Sequence, residues 1–304
     1  MGTPPAEIDI NVELVRSLLT SQHPDLAHLP IRPANSGWDN AMFRLGEQLA
    51  VRLPRRKLGA ELIQKEQQWL SVLSPQIILP APVPVRIGQP GQNYPWHWSV
   101  VPWIAGQTAD CVDLKALEAV RLGEFLRSLH APAPANAPRN PYRGIPLSQR
   151  ATIVNKSIAS LADKTDLITP TIHRIWQQAL AAAPTSEDRW IHGDLHPQNI
   201  LAVGGKITGV IDWGDLTCGD VATDLATVWM LFERESDRTE CLNTYGASEA
   251  DRWRAKGWAI AFATILLETG LVNNPSHAAI GRNTLRRLQR MRAPLNEKGT
   301  KSIR

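Results

Sequence analysis

The stretch between residues 190 and 214 constrains this chain more than any other part of its sequence. Asp194 is followed five positions later by Asn199, and Asp212 comes after an intervening run that is typical of a β-strand. Carboxylate and amide oxygens are the ligands that Mg²⁺ prefers, and a carboxylate can also take a proton from a reacting hydroxyl. The pattern therefore indicates a loop that carries chemistry as well as structure.

The order of these residues matches the parts of a kinase active site. Residues 192–199 read H-G-D-x-x-x-x-N, the spacing of the catalytic loop H-R-D-x-x-x-x-N, and residues 212–214 read D-W-G in the place of the metal-binding D-F-G element. Phosphoryl transfer needs a carboxylate that orients and deprotonates the attacking hydroxyl, and hard oxygen ligands that hold Mg²⁺. We predict Asp194 as the catalytic base and Asn199 and Asp212 as metal ligands.

Ordinary structural roles are the alternative for each residue taken singly. A loop Asp or Asn commonly forms an Asx-turn or caps a helix, and His192-x-Asp194-x-His196 would suit a transition metal. The chain has 3 cysteines, and none has the paired spacing that would complete a zinc site. The kinase interpretation is favoured because the spacings within H-G-D-x-x-x-x-N and from it to D-W-G all agree with the kinase pattern together.

Residues 192–201 resemble the catalytic signature of the aminoglycoside phosphotransferase family, with Gln198 where glycine is common. Residues 210–214 and 219–226 resemble the two blocks that follow it. The resemblance implies an α+β, protein-kinase-like fold with a small N-terminal lobe built on an antiparallel sheet and a larger, mostly helical C-terminal lobe. It implies a phosphotransferase that uses ATP and Mg²⁺ on a hydroxyl of a small molecule, an aminoglycoside or a related antibiotic, and hence a role in antibiotic resistance.

Hydrophobic patterning agrees with two lobes. Residues 1–105 contain alternating runs at 41–45 and 49–53, as expected of adjacent antiparallel strands, and we predict them as the nucleotide-binding lobe. A hinge near residues 102–106 leads to a catalytic and acceptor-binding lobe, residues 106–304. The predicted helices are residues 7–22, 61–73, 114–129, 148–162, 170–183, 220–233, 250–269 and 283–292.

A cation on the nucleotide phosphates is expected from Arg52, which stands where kinases carry the lysine of V-A-I-K. Arginine is a charged planar fork that grips phosphate oxygens bidentately, although lysine is usual at this position in the resembling family. Its acidic partner should lie on the next helix. We choose Glu66 over Glu61, because Lys65-Glu66 shortly before the apolar pair Trp69-Leu70 is how the family's helix usually reads.

Two further segments complete the predicted nucleotide site. Residues 36–40 occupy the place of the glycine-rich phosphate loop, with Ser36 and Asn40 as the predicted contacts. The hinge would offer backbone groups to an adenine edge, and we name Val101 and Trp103 as the candidates.

Charge is distributed unevenly along the chain. Residues 190–270 hold 12 acidic and 6 basic side chains, whereas residues 271–304 hold 8 basic and 1 acidic. The basic end reads as an amphipathic helix with solvated arginines and no interleaved aromatic residues for base stacking, so we predict no nucleic-acid partner. The acidic part would suit the ammonium groups of an aminoglycoside, with Asp215 and Glu268 as contributors. Macrolides, choline-like amines and sugar-like metabolites are the alternative acceptors.

No segment is predicted to enter a membrane. The longest strongly apolar run, residues 258–267, is too short to span a bilayer, and the N-terminus lacks the basic and apolar regions of a secretion signal. Few, unpaired cysteines fit a reducing compartment, so we predict a cytoplasmic protein. The patterns leave its oligomeric state open.

Two other functions fit the same fold. A catalytically silent nucleotide-binding regulator is one, although it would have no physical reason to keep Asp194, Asn199 and Asp212 together. A protein kinase is the other, and it is disfavoured by the missing G-x-G-x-x-G loop and A-P-E segment.

Overall fold

The computed structural model describes residues 5–34, 37, 39–185 and 187–290. Its α-helices are α1 (Val12–Gln22), α2 (Lys57–Leu73), α3 (Leu117–Leu129), α4 (Ala151–Ala162), α5 (Pro170–Ala181), α6 (Ala222–Leu225), α7 (Thr227–Leu231), α8 (Glu235–Tyr245), α9 (Glu249–Asn273) and α10 (Pro275–Gln289). Its strands are β1 (Ile31–Pro33), β2 (Asn40–Leu45), β3 (Leu49–Pro54), β4 (Arg86–Gly88), β5 (Trp98–Pro102), β6 (Gln107–Thr108), β7 (Arg189–Ile191), β8 (Ile200–Val203), β9 (Lys206–Val210) and β10 (Thr217–Gly219).

The N-terminal part is built on a five-stranded antiparallel sheet in the order β1-β2-β3-β5-β4. The two predicted strands at 41–45 and 49–53 are present as β2 and β3. Residues of β2 alternate between buried and half-buried, whereas nearly all of β3 is buried because it lies between β2 and β5. Helix α2 packs on β3 and β5, and it begins at Lys57 rather than at residue 61.

The C-terminal part is mostly helical and is organised around α9, which packs against α4, α5, α6 and α10. A helix contacted on several sides is apolar around much of its circumference, and thirteen of its residues are buried. The helix predicted at residues 220–233 is instead two short helices, α6 and α7. The main chain forms a hydrogen bond of the 3₁₀ type at the junction, where the N–H of Trp229 donates to the carbonyl of Ala226, three residues earlier.

The terminal arginine-rich helix extends further than its periodicity predicted. Helix α10 starts at Pro275, and the Asn274 side chain caps it by accepting the N–H of His277 at 3.1 Å. Leu285 and Leu288 are buried, as the pattern predicted, while residues 291 and 292 of that prediction lie outside the described residues.

Helix α9 is long and apolar enough to cross a bilayer, and 67% of its apolar window is buried inside the molecule. It is the one such helix in the part of the chain that the structure describes. The ten-residue run noted in the sequence thus belongs to a 25-residue core helix. The cytoplasmic location and the division at residues 105 and 106 stay predictions.

Lys256 on α9 is the basis of a stability prediction. The lysine is 8% exposed, and burial lowers its pKa to about 8, although its ammonium lies 3.8 Å from the centre of the Trp253 ring. Because the folded-state pKa lies below that of the unfolded chain, the charged lysine costs stability below pH 8, and that cost disappears as the pH rises to the unfolded pKa.

Lys256→Met should therefore stabilise the protein at pH 7 by about 2 kcal/mol, and the gain should shrink between pH 8 and pH 10.5. Urea unfolding of both proteins across this range measures the difference, with Lys156→Met on the exposed face of α4 as the control. A gain that is independent of pH would show that lysine ionisation is not its cause.

Candidate active site

The loop that follows β7 carries Asp194 and Asn199. Strand β7 pairs with β10, so the chain segments on either side of the two predicted motifs lie next to each other. Gly193 has a φ of +86°, and a Cβ atom there would lie 2.6 Å from the carbonyl oxygen of Asp215. The glycine of H-G-D is therefore required by backbone conformation and by space.

A fully buried carboxylate holds this loop in place. Asp224 accepts the N–H of His192 at 2.7 Å with one oxygen and the N–H of Gly193 at 2.9 Å with the other. The ring of His130 lies 3.3 Å from the same carboxylate. These contacts make Asp224 a structural support of the loop.

Asp220 has a similar role one turn earlier. Its side chain accepts the N–H of Ala222, the first residue of α6, at 3.0 Å. Arg254 from α9 donates to the same carboxylate at 2.7 and 3.1 Å, and both side chains are almost fully buried. This ion pair fixes α9 to the segment that follows D-W-G.

Asp194 and Asn199 are in direct contact. The side-chain amide of Asn199 donates to the main-chain carbonyl of Asp194 at 2.8 Å, which leaves the amide oxygen free to accept a ligand. The carboxylate of Asp194 lies 2.8 Å from Arg143 and 3.5 Å from His196. Burial would raise the pKa of Asp194, but the charge of Arg143 and the hydrogen bond from His196 hold that pKa well below its usual range.

Asp212 sits in the left-handed region with a φ of +62°, a conformation that Asp tolerates better than most residues. The next residue, Trp213, is fully buried, and its indole N–H donates to the carbonyl of Val210 at 2.9 Å. His192 packs on this indole, with a ring separation of 4.8 Å, and its Nε2 lies 3.0 Å from the carbonyl of Ile211. The ring of His192 thus has a structural role. The Asp212 side chain, by contrast, is 60% exposed.

Arg52 and Glu66 form a buried ion pair in the N-terminal part. Their side chains are 2.5 Å apart, and the other side of the guanidinium lies 3.8 Å from Asp212. Burial opposes the charged form, yet the charges of Glu66 and Asp212 raise the pKa of Arg52, so it stays a cation. Glu61, the other candidate acid, is exposed.

The segment in place of the phosphate loop is described in part. Ser36 lies outside the described residues. Asn40 begins β2, and its side-chain oxygen is buried with no hydrogen-bond partner among the described residues. Next to it, Asp39 forms an ion pair with Arg56, which precedes α2.

The hydrogen bonds of the hinge differ from those that the contacts predicted for Val101 and Trp103 require. The N–H of Trp103 donates at 2.7 Å to the carbonyl just before β3, and Val101 pairs with a β3 residue, so the main-chain groups of both point into the sheet. Successive residues of a strand direct these groups to opposite sides. The carbonyl of Pro102 and the N–H of Ile104 therefore face away from β3, and within the described chain that N–H donates to no main-chain carbonyl.

A cavity of about 430 Å³ brings these elements together with α9 and α10. Its lining includes Asp194, Asn199, Asp212, Arg143, Phe262 and His277. None of the last three was predicted from the sequence, because Arg143 lies in a proline-rich loop, Phe262 was only one position of the helix predicted at 250–269, and His277 precedes the helix predicted at 283–292. Gln198, the departure from the family pattern, lies 3.0 Å from His277.

The two acids proposed for a cationic acceptor differ in position. Asp215 lines the cavity and accepts the side-chain N–H of Asn140 at 2.7 Å. Glu268 does not line it. Its carboxylate accepts the hydroxyl of Ser157 on α4 at 2.6 Å, so the predicted role of Glu268 is wrong because its side chain leaves α9 on another face.

The sheet-containing N-terminal part, the helical C-terminal part and this arrangement of side chains define a protein of the protein-kinase-like fold. The structure is similar to a mutant of aminoglycoside 2'-phosphotransferase-IIIa in its GDP complex, with a TM-score of 0.66, 18% identity, and coverage of 92% of this chain and 97% of that one. It is also similar to macrolide 2'-phosphotransferase from Brachybacterium faecium, with a TM-score of 0.59, 19% identity, and coverage of 93% and 99%. The predicted α+β fold is confirmed.

The phosphotransferase enzyme family matches residues 30–258, and the chain belongs to this family. An aminoglycoside 3'-phosphotransferase of Escherichia coli is 31% identical over 110 residues, which are 36% of this chain and 41% of that protein. A relative of the same description from Salmonella typhimurium has the same identity and coverage. The chain thus spans about two fifths of the length of the curated relatives it matches. The family resemblance seen in the sequence is confirmed.

Proposed function

We propose that this protein is an ATP- and Mg²⁺-dependent phosphotransferase that acts on a hydroxyl of a small molecule. The observation that carries the proposal is that Asp194, Asn199 and Asp212 line one cavity of about 430 Å³. Arg52 lies beside Asp212, where a cation would meet the nucleotide phosphates. The cavity would receive the acceptor on the side formed by α9 and α10.

The donor is bound at the N-terminal side. Arg52 is held in its rotamer by Glu66 and binds phosphate oxygens. Asn40, at the start of β2, and Ser36, four residues before it, are the other proposed phosphate contacts. The purine edge bonds to the carbonyl of Pro102 and the N–H of Ile104. Solved neighbours carry GDP or ADP, so titration with ATP and GTP separates the two donors.

The side chains near the phosphates fit Mg²⁺. Asn199 has a free amide oxygen and Asp212 a mostly exposed carboxylate, both of them hard oxygen ligands. Magnesium prefers one or two such protein ligands together with phosphates and water. When bound, it neutralises charge on the transferring phosphate oxygens.

Asp194 binds and orients the acceptor hydroxyl. The acceptor oxygen forms a bond to the γ-phosphorus as the bond to the β–γ bridging oxygen breaks, and the hydroxyl proton passes to Asp194. Against the effect of burial, Arg143 holds the pKa of this carboxylate low, so the carboxylate is ionised at neutral pH and accepts a hydrogen bond from the acceptor hydroxyl.

Asp194→Ala should reduce turnover by ~10²–10⁴-fold while ATP affinity stays within about twofold of wild type, because the base acts on the acceptor. ATP consumption with hydroxylated acceptors and calorimetric ATP binding measure the two effects. Asp163→Asn, at the exposed end of α4, is the control. A variant that keeps more than about a tenth of wild-type turnover would remove Asp194 from the role of base. A wild type that binds ATP without turning over any acceptor would indicate a silent regulator.

Arg52→Met should weaken ATP binding at least about tenfold, since it removes a buried charge-assisted contact to phosphate. Arg52→Lys should recover part of that loss, because it restores a point charge next to Glu66. Calorimetry with ATP and Mg²⁺ measures both, after thermal unfolding has shown that each variant is folded. Equal ATP affinity in all three proteins would assign Arg52 a purely structural role.

A further inference from the structure

Arg143 places a cation inside the acceptor part of the cavity. Its guanidinium donates to Asp194 at 2.8 Å and lies 4.9 Å from the centre of the Phe262 ring. The loop that carries it is fixed, because the carbonyl of the next residue, Gly144, accepts the N–H of Asp220 at 2.8 Å. The cation is therefore held at the base rather than free to swing into solvent.

A second arginine lies close to the first. Arg150 is 5% exposed and has no acidic partner among the described residues. Burial lowers the pKa of Arg150, and the charge of Arg143 lowers it further. The Tyr142 ring lies 5.8 Å from the guanidinium carbon of Arg150. Of these two arginines, Arg143 alone is paired with a carboxylate in the described part of the chain, that of Asp194.

Three N–H groups of this region are buried without an acceptor in the described part of the chain: Nε of Arg143, Nε of Arg150 and the indole N–H of Trp258. Trp258 adjoins the same aromatic surface, since its ring lies 6.0 Å from that of Phe262. A buried donor without a partner is costly, and a buried unpaired charge is more so. All three groups are donors, and Arg143 is the one of these three residues that lines the cavity, so a ligand that meets it there is favoured by oxygen acceptors.

Carboxylates that would attract ammonium groups are already engaged. Asp194 is paired with Arg143, Asp215 accepts from Asn140, and Glu268 binds Ser157 away from the cavity. A polycation that reaches Asp194 would therefore have to approach the guanidinium of Arg143, and that approach costs binding energy.

We propose that the acceptor is a hydroxylated molecule that carries an anionic oxygen group, a carboxylate or a phosphate ester, which binds Arg143 next to Asp194. Arg150 adds positive potential behind Arg143, and the apolar body of the acceptor packs on Phe262 and Leu266. Arg143 is thus the residue that selects the acceptor by charge. This inference rests on the proposed phosphotransferase function, because it assumes that the acceptor hydroxyl meets Asp194.

Three probes of nearly equal size and opposite charge test the inference: 4-hydroxyphenylacetate, which is an anion, tyrosol, which is neutral, and tyramine, which is a cation. Their binding to the full chain saturated with Mg²⁺ and a non-hydrolysable ATP analogue is measured by calorimetry. We expect the anion to bind at least about tenfold more tightly than the cation. The phosphonate analogue of the anion distinguishes a carboxylate site from a phosphate site.

Arg143→Met should abolish the preference for the anion, and Arg143→Lys should restore part of it. Arg150→Met should weaken the anion less than Arg143→Met does. Arg127→Met, in another arginine-containing cavity of about 490 Å³, is the matched control and should leave the preference unchanged. Thermal unfolding identifies any variant that does not fold.

Equal binding of the three probes, no binding of the anion at millimolar concentration, or phosphorylation of a polycation such as kanamycin at a higher rate than any anionic acceptor would overturn the inference. Failure of the proposed function gives a different result. In that case the protein would phosphorylate no acceptor with ATP and Mg²⁺, whatever the order in which the three probes bind.

Discussion

The active site depends on one buried carboxylate. Asp224 accepts the main-chain N–H groups of His192 and Gly193, and all three groups are shielded from water. Without this acceptor two buried donors would be unpaired, at a cost of about 1–3 kcal/mol each. The loop therefore has one favourable conformation, in which Asp194 and Asn199 point into the cavity.

Two buried ion pairs extend this arrangement to the rest of the molecule. Arg254 binds Asp220 and so attaches α9, which lines the acceptor side, to the segment after D-W-G. Arg52 binds Glu66 and approaches Asp212, which relates the N-terminal sheet to the same segment. A buried ion pair contributes little net stability to the protein, but removal of one partner is strongly destabilising. Such pairs therefore determine the geometry of the fold more than they stabilise the fold. Both sides of the cavity are thereby positioned relative to one short stretch of chain.

Features set by local sequence were predictable. The sequence separations from Asp194 to Asn199 and to Asp212 are set by one loop and by the strand pair β8-β9. The family signature has the same spacing. The cap of α10 was also present in the sequence as an asparagine before a proline. It was missed because the apolar periodicity is weak there.

Features that depend on tertiary packing were not predictable. Arg143 meets Asp194 across 51 positions of sequence, and no local pattern marks a loop arginine as part of a site. The hinge register and the direction of Glu268 each depend on a shift of one residue along a strand or helix, which changes the face on which a group lies. Patterning identifies an element more readily than it identifies the face that each residue presents.

The proposed mechanism requires that Asn199 and Asp212 bind the divalent ion that accompanies the nucleotide. Paramagnetic Mn²⁺ in place of Mg²⁺, added with ADP to ¹⁵N-labelled protein, tests it by nuclear magnetic resonance. We expect the side-chain amide signal of Asn199 and the backbone signal of Gly214 to disappear. The side-chain amide of Asn243, on α8 and in contact with Arg252, should remain sharp. Persistence of the Asn199 signal at saturating Mn²⁺ and ADP, with signals lost elsewhere, would show that the ion binds at another site.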